Sequence, residues 1–138
     1  MEDKRYTRED FAEMLRKRGV NPTHQRLEIM QVLFSRDEHL SADQILALVN
    51  QRNAAISRAT VYNTLNVLAE KQLIRKVILE ADRVLYDPNA SAHYHIYDIE
   101  TGKLIDVDAT GVRVEGLPQL PSGTVAESMD LVIRVRRR

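Results

Sequence analysis

Residues 55–88 read AISRATVYNTLNVLAEKQLIRKVILEADRVLYDP, and this stretch restricts the fold more than any other. Ser57 stands where a helix N-cap belongs, and Ile56 before it can staple onto Val61 at the fourth helical position. Val61, Leu65 and Leu68 then form one buried stripe. At 100° per residue, Tyr62, Asn63 and Asn66 point away from that stripe, with Arg58 and Thr60 flanking them in the first turn. A soluble amphipathic helix with a polar outer face has the same pattern, so the helix alone assigns no role. Directly after it, Ile74, Val77, Ile78 and Leu79 and then Val84, Leu85 and Tyr86 make two β-prone runs around the polar turn Glu80–Arg83, which predicts a hairpin.

Three further helices precede this one. Thr7 with Asp10 three residues on, and Phe11, Met14 and Leu15 at helical spacing, predict a helix over Arg8–Arg18 that stops at Gly19. Thr23 caps a second segment carrying Leu27, Met30, Leu33 and Phe34 on one side. Ser41 and Gln44 form a capping-box signature for a third, with Ile45, Leu48 and Val49 on its apolar face. Several helices, the last polar outside, followed by a hairpin with Arg75 and Lys76 on its first strand, have the order of a winged helix-turn-helix. The helix over 57–70 is then expected in a major groove and the hairpin along phosphates.

Charge fits that order locally, not globally. The formal net charge is zero, whereas phosphate contact demands an excess of Lys and Arg. The segment Met14–Leu27 nevertheless carries Arg16, Lys17, Arg18 and Arg26 without an acid, and Gln51–Leu79 sets five cations against Glu70 alone. A neutral protein with a basic face has this distribution, as do ordinary solvated helix surfaces.

Pro88 and the small residues 89–92 read as a hinge. Beyond it a strand over 93–99, a turn at 100–103, a strand Leu104–Val107, an irregular piece with Pro118 and Pro121, and a strand Leu131–Val135 are expected. The chain is therefore α+β: an N-terminal winged helix-turn-helix domain over 1–87, a hinge over 88–92, and a small α/β or mostly-β dimerisation domain over 93–138. So small a sheet lacks the core to stand alone, which points to a homodimer. No apolar run approaches the roughly 20 residues of a membrane span, and the charged N-terminal residues lack a secretory pattern, so no membrane partner and a cytoplasmic location are expected.

The chain has no cysteine, which removes disulfides, thiolate nucleophiles and cysteine-based zinc sites, so any metal must be held by nitrogen and oxygen. His93 and His95 lie at i and i+2 on one strand, and both imidazoles leave the same face. Asp106, across the turn, reaches that face if the alternation matches. His39 and Asp87 could complete a five-ligand set. A bare His-x-His on a strand is also a common surface pattern, and His39 also reads as a loop residue before an N-cap. The residues alone leave both readings open.

PTHQR at 22–26, HLSADQIL at 39–46, SRATVYNTLNVLAEKQLI at 57–74, YD at 86–87, HYH at 93–95 and GKLID at 102–106 together resemble the ferric uptake regulator (Fur) family of dimeric, metal-responsive bacterial transcription factors. The resemblance implies that His39, Asp87, His93, His95 and Asp106 are the ligands of one divalent metal per subunit, Fe(II) or Mn(II) with Zn(II) as an alternative, joining the DNA-binding and dimerisation domains. It implies operator double-stranded DNA as partner, with Tyr62 at base edges, Asn63 at a base or phosphate, Arg58 and Thr60 supporting them, and Arg26 and Lys76 on phosphates. Asp at both acid positions resembles the peroxide-sensing branch (PerR). The LPQLPSG segment followed by DLVIRVRRR resembles the iron response regulators (Irr), for which haem bound at His93 or His95 is an alternative cofactor. Asp98 and Thr101 stand where the family has a C-x-x-C zinc motif, so no four-cysteine zinc site is expected. Ala92 and Tyr94 occupy positions that hold ligands of a second metal in many members, and the Pro-rich segment replaces a dimerisation helix. An iron or manganese enzyme built on the same cluster is the rival from another class. Without a substrate pocket or an acid-base pair beyond the ligands, the expected reading is a regulator and not an enzyme.

Overall fold

The structure is a computed structural model that describes residues 6–36, 38–52, 55–80, 83–88, 93–126 and 129–138. The chain forms two compact units, residues 1–90 and 91–138. The hinge expected over 88–92 lies outside the described residues apart from Pro88, as do Ala81 and Asp82 of the expected hairpin turn and Ala92.

Unit one begins with α1 (Arg8–Lys17), whose N-terminal amides are satisfied by a reciprocal box. Thr7 Oγ1 accepts from the Asp10 N–H, and the Asp10 carboxylate accepts from the Thr7 N–H at 2.8 Å. Gly19, at φ +73°, turns the chain out of this helix, a conformation that costs glycine nothing and other residues about 1 kcal/mol or more. α2 (His24–Phe34) follows its Thr23 cap, and α3 (Ala42–Gln51) follows the Ser41–Gln44 box. Leu27, Met30 and Leu33 are buried and Phe34 packs against the core, as expected, and Ile29 and Val32 are buried as well. The helix is enclosed on several sides, because it lies between α1, α3 and α4, and a helix buried all round loses its amphipathic signature.

Glu28 on α2 ties three helices together. It accepts from Arg8 of α1 at 2.9 Å and faces Arg52, the residue capping α3, at 3.6 Å. Burial alone pushes its carboxyl up, but the Arg8 hydrogen bond and the charges of Arg52, Arg8 and His24 leave it below the usual carboxylate range.

α4 (Arg58–Glu70) starts at Ser57, whose Oγ accepts from the Thr60 N–H. Ile56, Val61, Leu65 and Leu68 are buried as expected, and Thr64 joins them. The C-terminal end of α4 is closed by Arg18, whose guanidinium donates to the Lys71 carbonyl at 3.1 Å. A cation at that end also meets the negative pole of the helix dipole.

The hairpin pairs β1 (Arg75–Glu80) with β2 (Arg83–Asp87) antiparallel, with a bulge between Ile78 and Glu80. It joins the helical core through one isolated bridge. Leu40 and Tyr86 exchange backbone hydrogen bonds of 3.1 and 2.7 Å, and both side chains are buried in the core built by Phe11, Leu33, Ile45 and Leu65.

Unit two is a three-stranded sheet in the order β4–β3–β5. β3 (His93–Asp98) is central, β4 (Leu104–Asp108) runs antiparallel to it, and β5 (Val132–Val135) runs parallel. All three strands match the expectation, whereas their order has no signature in the local pattern. The connection from β4 to β5 has one 3-10 turn, Ala109–Gly111, and no other helix among its described residues. Tyr97 is the sole buried hydrophobic residue of this unit among those described.

At the β3–β4 turn, Asp98 Oδ1 accepts the N–H groups of Glu100 and Thr101, and Oδ2 accepts from Arg137 at 2.7 Å. Arg137 also donates its backbone N–H to Glu100. A carboxylate clamp thus ties the turn to the strand that follows it in space. The Arg137 hydrogen bond, with help from the turn amides, holds the Asp98 carboxyl below its usual range. A lowered pKa contributes stability that is present above the unfolded-state value and is lost as pH falls through the folded one. Asp98→Asn is therefore expected to melt at a lower temperature than the parent at pH 7, with the gap shrinking as pH falls below about 4 and the parent carboxylate also becomes neutral. Thermal melts across that range check it, and a gap that does not change with pH counts against the clamp.

Candidate functional site

Within unit one, His39 and Asp87 face each other because of the Leu40–Tyr86 bridge. In an antiparallel pair, the residue before one partner lies opposite the residue after the other. His39 Nε2 lies 3.0 Å from Asp87 Oδ2, and both side chains are largely withdrawn from water. Burial keeps the Tyr86 phenol above its ordinary range, and the nearby Tyr62 phenol adds to that shift, so β2 reaches toward α4 as well.

Within unit two, the alternation of β3 puts His93 and His95 on one face, and the register sets Asp106 opposite His95. The two rings meet edge to face, with centroids 4.6 Å apart. Asp106 Oδ1 is 3.5 Å from His93 Nε2 and 3.3 Å from His95 Nε2. His93 and His95 are 5% and 1% exposed, so neither imidazole lies open to water as a surface pattern would leave it.

The donor set fits a divalent cation. Ligand atoms bound about 2.0–2.2 Å from a common centre stand about 2.8–3.6 Å from their neighbours in octahedral and tetrahedral arrangements, and the separations of Asp106 Oδ1 from His93 Nε2 and His95 Nε2, 3.5 and 3.3 Å, lie in that range. Two imidazole nitrogens and a carboxylate oxygen also match Fe(II), Mn(II) and Zn(II) better than the all-oxygen shells of Ca(II).

The polar face of α4 carries four of the six residues assigned to DNA. Tyr62 is 38% exposed, Asn63 and Asn66 are exposed beside it, and Arg58 is exposed one turn earlier. Thr60 is partly committed elsewhere: its hydroxyl accepts from Ser57 Oγ at 3.0 Å and its N–H is capped by the same group. Arg26 lies in the first turn of α2, half-buried, and donates to the Asn21 carbonyl at 2.8 Å. Lys76 is exposed on β1. Sequence reasoning missed Asp43, on the first turn of α3, whose carboxylate accepts from the Arg58 guanidinium. The two residues are fifteen positions apart, and no local pattern links them.

Comparison with known proteins agrees with this architecture. The sequence pattern of the Ferric uptake regulator family matches residues 17–128. A peroxide-responsive repressor, PerR, of Staphylococcus epidermidis is 35% identical over 98 residues, covering 71% of this chain and 65% of that protein. PerR of Staphylococcus aureus is 33% identical over 98 residues, covering 71% and 66%. The matched region thus spans just under two thirds of these relatives' length. A ferric uptake regulator from Pseudomonas aeruginosa, solved with manganese, superposes with a TM-score of 0.72 at 25% identity, covering 93% of this chain and 98% of that one. Among the described residues, no helix is long and apolar enough to cross a membrane.

Proposed function

The chain belongs to the ferric uptake regulator family, and from that premise we propose that it is a homodimeric, metal-responsive transcriptional repressor. It binds palindromic operator DNA in the control of iron and manganese homeostasis or the peroxide response. Residues 1–87 form its DNA-binding domain, 88–92 its hinge and 93–138 its dimerisation and metal-binding domain. The observation that carries the reading is the convergence of His93 and His95 in unit two on the Asp106 carboxylate, at 3.5 and 3.3 Å. These three ligands hold one divalent metal per subunit together with the His39–Asp87 pair of unit one. A cation held by these residues would neutralise the two carboxylates and favour one arrangement of the two ligand groups.

Ligands taken from both sides of the hinge restrict how it bends, and the restricted arrangement is the one that spaces two recognition helices for two half-sites. If the residues hold the metal about 10- to 100-fold more tightly in that arrangement than in the open one, occupancy shifts the equilibrium by about 1.4–2.7 kcal/mol per subunit. Regulators act through such shifts without turnover.

Support for a second copy comes from the other face of the sheet. The register aligns Ile96 of β3 with Ile105 of β4 and Ile133 of β5, and the latter two are 44% and 43% exposed. With one buried hydrophobic residue among those described, unit two needs an apolar partner surface to be stable. Asp at Ile105 and Ile133 together is expected to convert a dimer to a monomer in sedimentation equilibrium.

On DNA, Tyr62 and Asn63 meet base edges and phosphates from the exposed face of α4, Arg58 and Thr60 support them, and Arg26 and Lys76 neutralise phosphates. Tyr62→Ala is expected to reduce discrimination between operator and unrelated duplex, whereas Arg26→Ala weakens all DNA about equally and flattens the salt dependence by about one unit of slope. Unchanged operator affinity in both variants counts against the groove assignment.

Operator binding by apo, Mn(II)-loaded and Fe(II)-loaded protein, before and after peroxide, tests the whole reading. Metal is expected to raise operator affinity, and alanine at His95 or Asp106 is expected to abolish that rise. Loss of the Fe(II) effect alone after peroxide assigns the signal to peroxide. A Soret band on haem titration that disappears in His93→Ala and His95→Ala assigns it to haem instead. Equal affinity in every metal state overturns the reading.

A further inference from the structure

Arg58 is the first residue of α4, where the positive pole of the helix dipole disfavours a cation, and the first turn of α4 contains no acid to offset it. Its Nη1 donates instead to Asp43 Oδ1, a carboxylate that itself lies in the first turn of α3. The two side chains are 63% and 64% exposed, and an ion pair this open to water contributes little to folding stability. The pair therefore has scant value as a structural tie. What it does fix is the direction of the guanidinium. Arg58 and Tyr62 stand at i and i+4, so they share one ridge of the helix, and the guanidinium carries further N–H donors beyond the one given to Asp43.

We propose that Asp43 is a positioning residue that orients Arg58 to read a base edge, most fittingly the O6/N7 edge of guanine, and keeps it from acting as a phosphate contact. The inference rests on the reading above that α4 enters the major groove. A guanidinium held from behind by a carboxylate offers two parallel N–H donors at low entropic cost, the geometry that guanine accepts. The same carboxylate repels phosphates and cancels the charge by which an arginine would bind any sequence. The pair thus exchanges general affinity for discrimination, since a wrong base leaves the fixed donors without acceptors.

The test uses the full chain, an operator selected from random duplexes, and an unrelated duplex, titrated at two salt concentrations. Asp43→Ala is expected to lower the ratio of operator to unrelated affinity by about fivefold to a hundredfold, while affinity for the unrelated duplex rises. Asp43→Glu restores part of the ratio. In an Arg58→Ala background, Asp43→Ala leaves the ratio unchanged, because the group it orients is gone. Replacing one operator guanine by 7-deazaguanine, which lacks the N7 acceptor, weakens the parent but not Arg58→Ala. If Asp43→Ala strengthens both duplexes equally and leaves the ratio as it was, Asp43 is only a repulsive charge and the proposal is overturned. If Tyr62→Ala also leaves the ratio untouched, the groove reading itself has failed, which separates the two.

Discussion

Two backbone hydrogen bonds between Leu40 and Tyr86 fasten the hairpin to the helices of unit one. Few bonds carry so much of the local geometry. They align the loop before α3 with β2, bury a leucine and a tyrosine in the shared core, and bring His39 opposite Asp87. They also place Tyr86 near Tyr62 of α4. Exposed backbone bonds of this kind open readily, and it is the burial of both side chains that keeps this pair closed.

The two units are stabilised in different ways. Unit one has a continuous apolar core drawn from four helices and the hairpin, with Glu28 and Arg18 closing polar gaps between elements. Unit two buries His93, His95, Tyr97 and Asp98 along its central strand, so polar groups occupy the positions that would otherwise form a core. Such groups stay buried only when their hydrogen-bonding or coordinating capacity is met. The Asp98–Arg137–Glu100 clamp meets it at one end of β3, and Asp106 faces the imidazoles at the other. On the opposite face the isoleucine row remains open to water. The central strand thus buries mostly polar groups, while Ile105 and Ile133 on its neighbours stay exposed.

Much of the helical unit was legible in the sequence. Thr7, Thr23, Ser41 and Ser57 all cap the helices they were expected to cap, since capping is a contest between one side chain and its own local backbone. The exposed face of α4 follows from periodicity alone. The burial of Ile29 and Val32 did not, because enclosure of α2 depends on helices that lie far away in the chain. His93, His95 and Asp106 were legible as a set through strand alternation, but the near-complete burial of the two imidazoles was not, and burial is what separates a chelating face from a surface pattern. Asp43 carried no signal at all until α3 and α4 were set side by side.

Local chemistry written in the order of residues therefore determined the caps, the strand alternation, the absence of thiolate ligands and the polar ridge of α4, because each depends on neighbours within a few positions. The tertiary structure decided the parallel seat of β5 against β3, the pairing of His39 with Asp87, the hold of Asp43 on Arg58 and the clamp of Arg137 on Asp98. Those are contacts between groups distant in the chain, and their distances exist only once packing has offset the entropy of bringing the segments together.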